Sequence, residues 1–495
     1  MFMKKYWKYV LLTGGGLLAI LIMLIIVIAL TIDPNDFKPQ IVDFVKQKKQ
    51  RTLILQGDIK MTFFPRLGLD LGQLSVSEHQ GRSVFAAMER ARLFVAWLPL
   101  LRNELIVYKV TLDGVRANLV RYKDGTTNFD DLLKKEDKSP LVKFDIDGIK
   151  VTQSSIAFDD RLNGRKANLT RLEMTTGRIK NATPSDIALD FDMLIDQPKM
   201  NMHAILKSGL MFDLDKKHYA LSGMNLTAKG TAMGLTQADA SLTGDFEARP
   251  EALKYVAKNL KLNLRGSLAP TKLSLKLNVP TIQFTQQMMI SEKIFFEANL
   301  ERPDGRIQTN VSVPSVEGSG QSFKASQLIM LVEGKQGDTS FKGKLSSPGI
   351  ASVEMQQFDL NHLQGELNIA NAKLPKGNVH LAVSGTARLD IKQQNIALNL
   401  TSKLDESNIQ AKLGMQQFAL PSYSFDINID QIDFDHYTAA QPVRTSTTKP
   451  ASPEQPLDFS ILKNLNASGS LHIGSLKIAN VKSKNVRITL KADSL

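Results

Sequence analysis

An alternation of apolar and polar residues runs through most of the chain from Thr52 onward and limits what it can fold into. Segments such as "KLNLRGSL", "KLSLKLNV", "NIALNLTSKL" and "SFDINID" repeat with a period of two and are bounded by Gly, Asn or Asp. That period places successive side chains on opposite faces of a strand, so that one face is dry and the other is wet. The sequence therefore predicts a mostly β protein whose long, curved, largely antiparallel sheet forms an elongated apolar groove, with few short helices.

The dry face of such a sheet needs a cover, and the chain has few helical segments to provide one. The face must curl on itself, pack against a second sheet or meet an apolar ligand. Alternate apolar residues of four segments are the candidates for lining a groove: Leu262, Leu264, Leu273, Leu275, Leu277, Ile396, Leu398, Leu400, Phe425, Ile427 and Ile429.

An uncharged apolar segment at residues 9–32 predicts a transmembrane helix, because about 20 such residues cross a bilayer core of about 30 Å. Residues 1–8 would then form a cytoplasmic tail. The anchor residues are Leu11, Leu12, Leu17, Leu18, Ile20, Leu21, Leu24, Ile25, Ile26 and Ile28.

The charges beside this segment favour a cytoplasmic N-terminus. Three lysines within residues 4–8 precede the segment, whereas Asp33 and Asp36 follow it. Basic residues from Lys38 to Arg51 would reverse a count over a wider window, so the assignment depends on the nearest charges.

Short helices are predicted at three places. Residues 33–51 form a juxtamembrane amphipathic helix whose apolar stripe is Phe37, Ile41, Phe44 and Val45. Asn128 can cap "FDDLLKKE", and Pro250 can begin a helix at "EALKYVAKNL". The β-rich body extends over residues 52–436, residues 437–456 are a Pro/Thr/Ser-rich linker or loop, and strands resume at 457–495.

Composition excludes several classes of function. The net charge is +13, but basic residues are dispersed and aromatic residues make up 7%, so no nucleic-acid partner is expected. The absence of cysteine removes thiolate chemistry, and the seven histidines form no close metal-ligand pair. Asp145 and Asp147 alternate with apolar residues, as expected for the wet face of a strand rather than a calcium loop. We expect no enzyme activity and no cofactor.

Three strings in fixed order resemble a known family: "DPNDFKPQIVDFV", "LQGDIKMTFFPRLGLDLGQLSVSE" and "ARLFVAWLPLLRNELIVYKVTLDGVRANLVRYKDGTTNFDDL". They are similar to the N-terminal part of the AsmA family of envelope proteins in Gram-negative bacteria, and residues 457–495 resemble the start of its C-terminal region. The motif residues are Asp33, Pro34, Phe37, Gly57, Asp58, Phe63, Phe64, Pro65, Gly68, Asn128, Asp130 and Asp131.

The resemblance implies a single-pass inner-membrane protein with a periplasmic body, related to bridge-like lipid transfer proteins. The expected function is to guide phospholipid between the inner and outer membranes, in support of outer-membrane integrity. The expected partners are phospholipid and the inner membrane, and an outer-membrane or periplasmic protein is a possible further partner. The alternative is a structural or assembly factor that influences outer-membrane protein biogenesis through protein contacts. The resemblance also implies that family members continue beyond the position of Leu495.

Overall fold

A computed structural model describes most of the chain. The described residues are 33–62, 67–95, 107–133, 145–319, 321–352, 354–372, 377–418, 421–436, 466–478 and 480–491. The predicted transmembrane segment at 9–32, the Phe63, Phe64 and Pro65 motif residues and the linker at 437–456 lie outside them. Within the described ranges, no helix combines the length and hydrophobicity required to cross a membrane.

Strands contain 73% of the described residues, which confirms the prediction of a mostly β protein. The described helices are short: α1 at Lys38–Lys49, α2 at Asp130–Leu133, and 3-10 turns at Pro34–Phe37, Pro250–Ala252 and Phe434–His436. Contacts divide the chain into two compact units, residues 1–239 and 240–495.

The described strands of unit 1 (residues 1–239) are β1 Leu53–Leu55, β2 Lys60–Thr62, β3 Leu67–Leu71, β4 Leu74–Ser77, β5 Val84–Met88, β6 Arg90–Val95, β7 Val107–Asp113, β8 Arg116–Arg121, β9 Asp145–Ile146, β10 Gly148–Asp160, β11 Arg165–Thr176, β12 Ile179–Lys180, β13 Ser185–Ile195, β14 Met200–Asp213 and β15 His218–Ala232. Two ladders of short strands both end on β10. One ladder runs β2–β3–β6–β7 and the other β1–β4–β5–β8. β7 and β8 pair in parallel with successive halves of β10. β11, β13, β14 and β15 follow in antiparallel order, and β9 and β12 form a separate ribbon.

The unit boundary falls within β16, Leu235–Arg249. The other described strands of unit 2 (residues 240–495) are β17 Lys254–Leu268, β18 Thr271–Phe284, β19 Met289–Ser291, β20 Ile294–Arg302, β21 Gly305–Val313, β22 Val316–Ser319, β23 Ser322–Gln336, β24 Thr339–Ser352, β25 Gln357–Ala370, β26 Asn378–Asp390, β27 Asn395–Leu404, β28 Ser407–Gln416, β29 Ser422–Asp433, β30 Ala467–Ile478 and β31 Val481–Leu490. Their order is mostly antiparallel. β18 pairs with β17 and then with both β20 and β19, which lead through β21 and β22 to β23. β24 to β29 follow in chain order, β30 is parallel to β29, and β31 is antiparallel to β30.

The prediction of a helix that begins at Pro250 is wrong. Pro250 begins a 3-10 turn that ends at Ala252, and Leu253 adopts a left-handed conformation with φ of 46°. β17 starts at the next residue and pairs along its length with β18. A ladder of cross-strand hydrogen bonds therefore overrides the local helix preference of "EALKYVAKNL".

Two glycines of the N-terminal motifs lie at close contacts, and at Gly57 the nearest atom belongs to the backbone. A Cβ atom on Gly57 would lie 2.9 Å from the Cα of Gly72. A Cβ on Gly68 would lie 3.2 Å from the ring of Phe94. The segment between β1 and β2 thus contacts the backbone between β3 and β4 without space for a side chain.

We predict that Gly57→Ala loosens the first strands of unit 1, at a cost of about 1–3 kcal/mol, because the added methyl group meets a backbone atom that cannot rotate away. Hydrogen–deuterium exchange of peptides that cover residues 53–62 measures the change. Gly349→Ala is the control, because its Cβ would first meet the ring of Phe358 at 3.2 Å, which can shift. Unchanged exchange in the Gly57→Ala protein would contradict the packing argument.

Candidate functional site

Registered rows of apolar side chains cross the sheet of unit 2 from β17 to β31. Residues directly opposite each other on paired strands lie on the same face, so each row can be followed from strand to strand. The longest row crosses thirteen strands and is interrupted only by one glycine and one serine. Its members are Leu262, Leu277, Phe296, Val311, Met330, Leu345, Gly365, Val383, Ser402, Ile409, Ile429, Ile473 and Val486.

Protein atoms cover this face only in part. Of the row, Ile473 is buried at 4% exposure, and the other members are half-buried. A packed core would bury them as fully as Ile473. The described part of unit 2 contains no α-helix that could form a second layer. The apolar side chains are therefore shielded by their neighbours within the sheet and remain open to a further apolar surface.

All eleven groove candidates lie on this face, which we call the unit 2 apolar face. Leu264 pairs with Leu275, next to the Leu262–Leu277 pair, and Leu273 lies opposite Gly266. The candidates of β27 and β29 flank β28 and contact its apolar residues from the two sides. None of the eleven is fully buried.

The opposite face of the same strands is polar. Lys276 Nζ lies 3.0 Å from Glu297 Oε1 across β18 and β20. The hydrogen bond from this lysine holds the pKa of Glu297 below its ordinary value. The contrast between the two faces shows that the apolar face follows from strand alternation and not from a generally hydrophobic sheet.

Unit 1 has a similar row across eight strands. Ala91 and Val151 are buried in it, and the other members are half-buried. A cavity of about 360 Å³ opens on neighbouring strands beside Ile156, Leu169 and Met193. The members of the row are Leu71, Ala91, Leu112, Val151, Met174, Leu189, Leu206 and Leu226.

A second cluster, the Arg51 junction, joins the end of α1 to the sheet of unit 1. The Arg51 side chain is 1% exposed, and it donates from Nε and Nη2 to the two carboxylate oxygens of Asp131 at 2.8 and 2.6 Å. It also donates to the backbone oxygens of Ser77 at 3.0 Å and Asn128 at 2.6 Å. The guanidinium carbon lies 4.4 Å from the centre of the Phe85 ring. These contacts satisfy a buried cation on every side.

Asn128 belongs to this junction and does not act as the expected helix cap. Its Oδ1 accepts from the Val120 N–H at 2.9 Å, and its Nδ2 donates to the Asn118 oxygen at 2.8 Å. At the start of α2, the Asp130 carboxylate instead accepts from the N–H and hydroxyl of Thr127 at 2.9 and 2.5 Å. The N-F-D-D motif therefore fixes α2 beneath Arg51.

The motif at Asp33 fixes the other end of α1. Asp33 Oδ1 accepts from the Asn35 N–H at 2.8 Å, and Asn35 Oδ1 accepts from the Ile59 N–H at 2.9 Å. Lys38 Nζ lies 3.5 Å from Asp58 Oδ1. Among the residues that the structure includes, the motif positions thus build a junction between α1 and the sheet, and no group of three or more potential metal ligands is found.

Arg51 is the central residue that sequence patterns do not single out. It follows the basic run "KQKK" and resembles one more solvent-exposed charge. Its partner Asp131 is 80 positions away, and only the fold brings the two together.

Comparison with known proteins identifies the family. The sequence model of the AsmA protein family matches residues 3–458. The chain belongs to the AsmA family. A relative in Escherichia coli (strain K12), "Protein AsmA", is 22% identical over 337 residues, which cover 63% of this chain and 50% of the relative. The match thus spans half the length of that relative. No solved structure matches this AsmA-family chain significantly.

The apolar faces and the Arg51 junction are the two features of this AsmA-family member on which a proposal for its function can be based.

We predict that Arg51→Met destabilises the contact of α1 and α2 with the sheet by about 3 kcal/mol, because it leaves the carboxylate of Asp131 without its cation. Hydrogen–deuterium exchange at residues 38–49 and 130–133 measures the effect. Arg116→Met is the matched control: Arg116 pairs with Glu89 at 2.8 Å, but the two side chains are 70% and 52% exposed, so little change is expected. Equal effects of the two substitutions would refute a structural role for the buried pair.

The junction should also weaken in acid. The hydrogen bonds from Arg51 hold the pKa of Asp131 below its ordinary value of 3.8. A carboxyl group with a lowered pKa stabilises the fold above the ordinary value, and the stabilisation is lost as pH falls through the folded-state pKa. Protection of α1 against exchange, corrected for the intrinsic rate, should therefore be constant from neutral pH to about pH 5 and fall below about pH 4. The Asp131→Asn protein should not show this loss of protection at low pH. An identical acid profile in both proteins would disprove the role of the Asp131 carboxylate.

Proposed function

We propose that this protein guides phospholipid between the inner and outer membranes along the apolar faces of its sheets, without enzymatic turnover. The observation that carries the proposal is the thirteen-strand row of half-buried apolar side chains in unit 2. Membership of an envelope family with a suggested role in lipid transport or outer-membrane assembly supports it.

The barrier to lipid movement through water is hydrophobic. Exposure of an acyl chain costs about 0.8 kcal/mol per CH₂ group, so a chain of about 16 carbons costs about 12 kcal/mol. That free energy corresponds to about nine powers of ten in rate. An apolar surface that accepts the chain while the headgroup stays in water lowers this barrier, and no catalytic group is required.

The dimensions of the row suit this task. Neighbouring strands lie about 4.8 Å apart, so thirteen strands give an apolar row about 60 Å long. An acyl chain spans one half of the bilayer core of about 30 Å, or about 15 Å. The row is several times longer than one acyl chain, as movement along a surface requires. In this proposal a groove formed by the apolar face contains the chains.

The proposed topology places the N-terminus in the cytoplasm, the segment at 9–32 in the inner membrane and the body in the periplasm. The lysines before that segment support this orientation. The alternative, an assembly factor for outer-membrane proteins, would use strand edges: β31 pairs with β30, and no strand of the described residues pairs with its other side. Such an edge can add a strand from a partner protein.

Site-specific photocrosslinking tests the lipid path in the full-length protein. A photoreactive amino acid at position 398 or 427 should capture phospholipid in cells, because Leu398 and Ile427 lie on the unit 2 apolar face. The matched positions 399 and 428 should not, because Asn399 and Asn428 are exposed on the opposite face of the same strands. Mass spectrometry of the purified adducts identifies the captured molecule.

The pairing of neighbouring positions controls for expression, folding and access to the membrane. Capture of phospholipid at positions 398 and 427 only would support the proposal. Equal capture on both faces, or capture of protein instead of lipid on the apolar face, would overturn it, and protein capture would favour the assembly factor.

A further inference from the structure

Helix α1 turns its largest apolar side chains away from the protein. The helix contacts β1, and Val42 and Val45 are half-buried. Phe37 at its N-cap and Ile41 and Phe44 within it are 47%, 39% and 63% exposed. The single stripe predicted from the sequence is therefore divided, with Val45 on the inner side. The three exposed residues follow the i, i+4, i+7 spacing of one helix face. We call them the outer stripe.

The helix cannot rotate to bury this stripe without breaking contacts at both ends. Lys38 pairs with Asp58 at its start. At its end, the Gln50 oxygen accepts from the Gln80 N–H at 2.9 Å, and Arg51 enters the buried junction. The direction of the outer stripe is thus fixed relative to the first strands of unit 1.

Basic residues accompany the outer stripe. The last turn of α1 contains Lys46, Lys48 and Lys49. Lys48 follows Phe44 by four positions and continues the line of the stripe. Apolar side chains next to lysines are typical of a helix that lies in the interface of a bilayer, where the lysines meet anionic headgroups.

The chain itself indicates which surface is available to the stripe. The uncharged apolar segment at 9–32 ends six positions before Lys38. A bilayer that contained this segment would lie within reach of α1. We propose that α1 binds a bilayer rich in anionic lipid, with the outer stripe among the acyl chains and the exposed Lys46 and Lys48 at the headgroups. Because its ends are fixed to the sheet, this contact would set the direction in which unit 1 leaves the membrane. The inference concerns membrane contact and does not depend on lipid transfer.

The absence of cysteine allows a direct test in the full-length protein. Single-cysteine variants Phe44→Cys and Asp43→Cys, labelled with an environment-sensitive fluorophore, are reconstituted in vesicles of phosphatidylcholine with or without phosphatidylglycerol. Asp43 is exposed about 100° around the helix from Phe44. The probe at position 44 should shift its emission to shorter wavelength, be quenched by brominated acyl chains and respond more strongly with phosphatidylglycerol. The probe at position 43 should report water.

Several results would overturn the proposal. A probe at position 44 that reports water in vesicles into which the protein has been incorporated would show that the stripe does not enter the bilayer. An apolar environment that brominated lipid does not quench would show that protein covers the stripe. Equal quenching at positions 43 and 44 would show that α1 has no preferred face. Lipid capture at positions 398 and 427 is measured separately, so either proposal can fail while the other stands.

Discussion

Strand register is the constraint on which the apolar faces depend. Successive side chains alternate between the two faces, so a slip of one residue would turn every apolar side chain of a strand to the polar face. In β25 the apolar positions are odd-numbered from Ile369 to Leu363 and even-numbered from Leu360 to Phe358. The register of β25 shifts between Leu360 and Gln364 in its pairing with β24, and between Leu360 and Leu363 in its pairing with β26. The extra residue in the strand restores the match between side-chain identity and sheet face, which is the known effect of a β-bulge.

The same alternation explains which parts of the fold are predictable. The strands and their apolar face follow from local pattern, because the period of two appears directly in the sequence. The direction of pairing does not, because a strand has the same alternation in a parallel and in an antiparallel ladder. β29 and β30 are parallel, as are β10 and its neighbours β7 and β8. Pro250 illustrates the opposite error, in which a local helix signal yields to pairing with a distant strand.

The two parts of the candidate site differ in the same way. Leu398 and Ile427 could be assigned to an apolar face from their neighbours in sequence alone. Arg51 could not, since its burial results from contacts with residues 26 to 80 positions away. The structural role of a charged residue can be recognised only when its partners are known. An isolated arginine after a lysine run gives no sign in the sequence that it is buried. The motif residues around Asn128 likewise make structural contacts that are visible only in the folded chain.

The half-exposed apolar face raises the question of what stabilises the sheet in water. Each strand in the middle of the sheet is held by hydrogen bonds to two neighbours, and its side chains gain part of their burial from those neighbours rather than from a second layer. Strand pairing thus contributes to stability without a filled core, and the apolar side chains of the face stay half-exposed. A ligand that binds the folded state adds stability in proportion to the logarithm of its concentration relative to its dissociation constant. On the proposed function, phospholipid would be both the cargo and a source of stability, so a charge placed on the apolar face would weaken lipid capture and the lipid-dependent part of stability together.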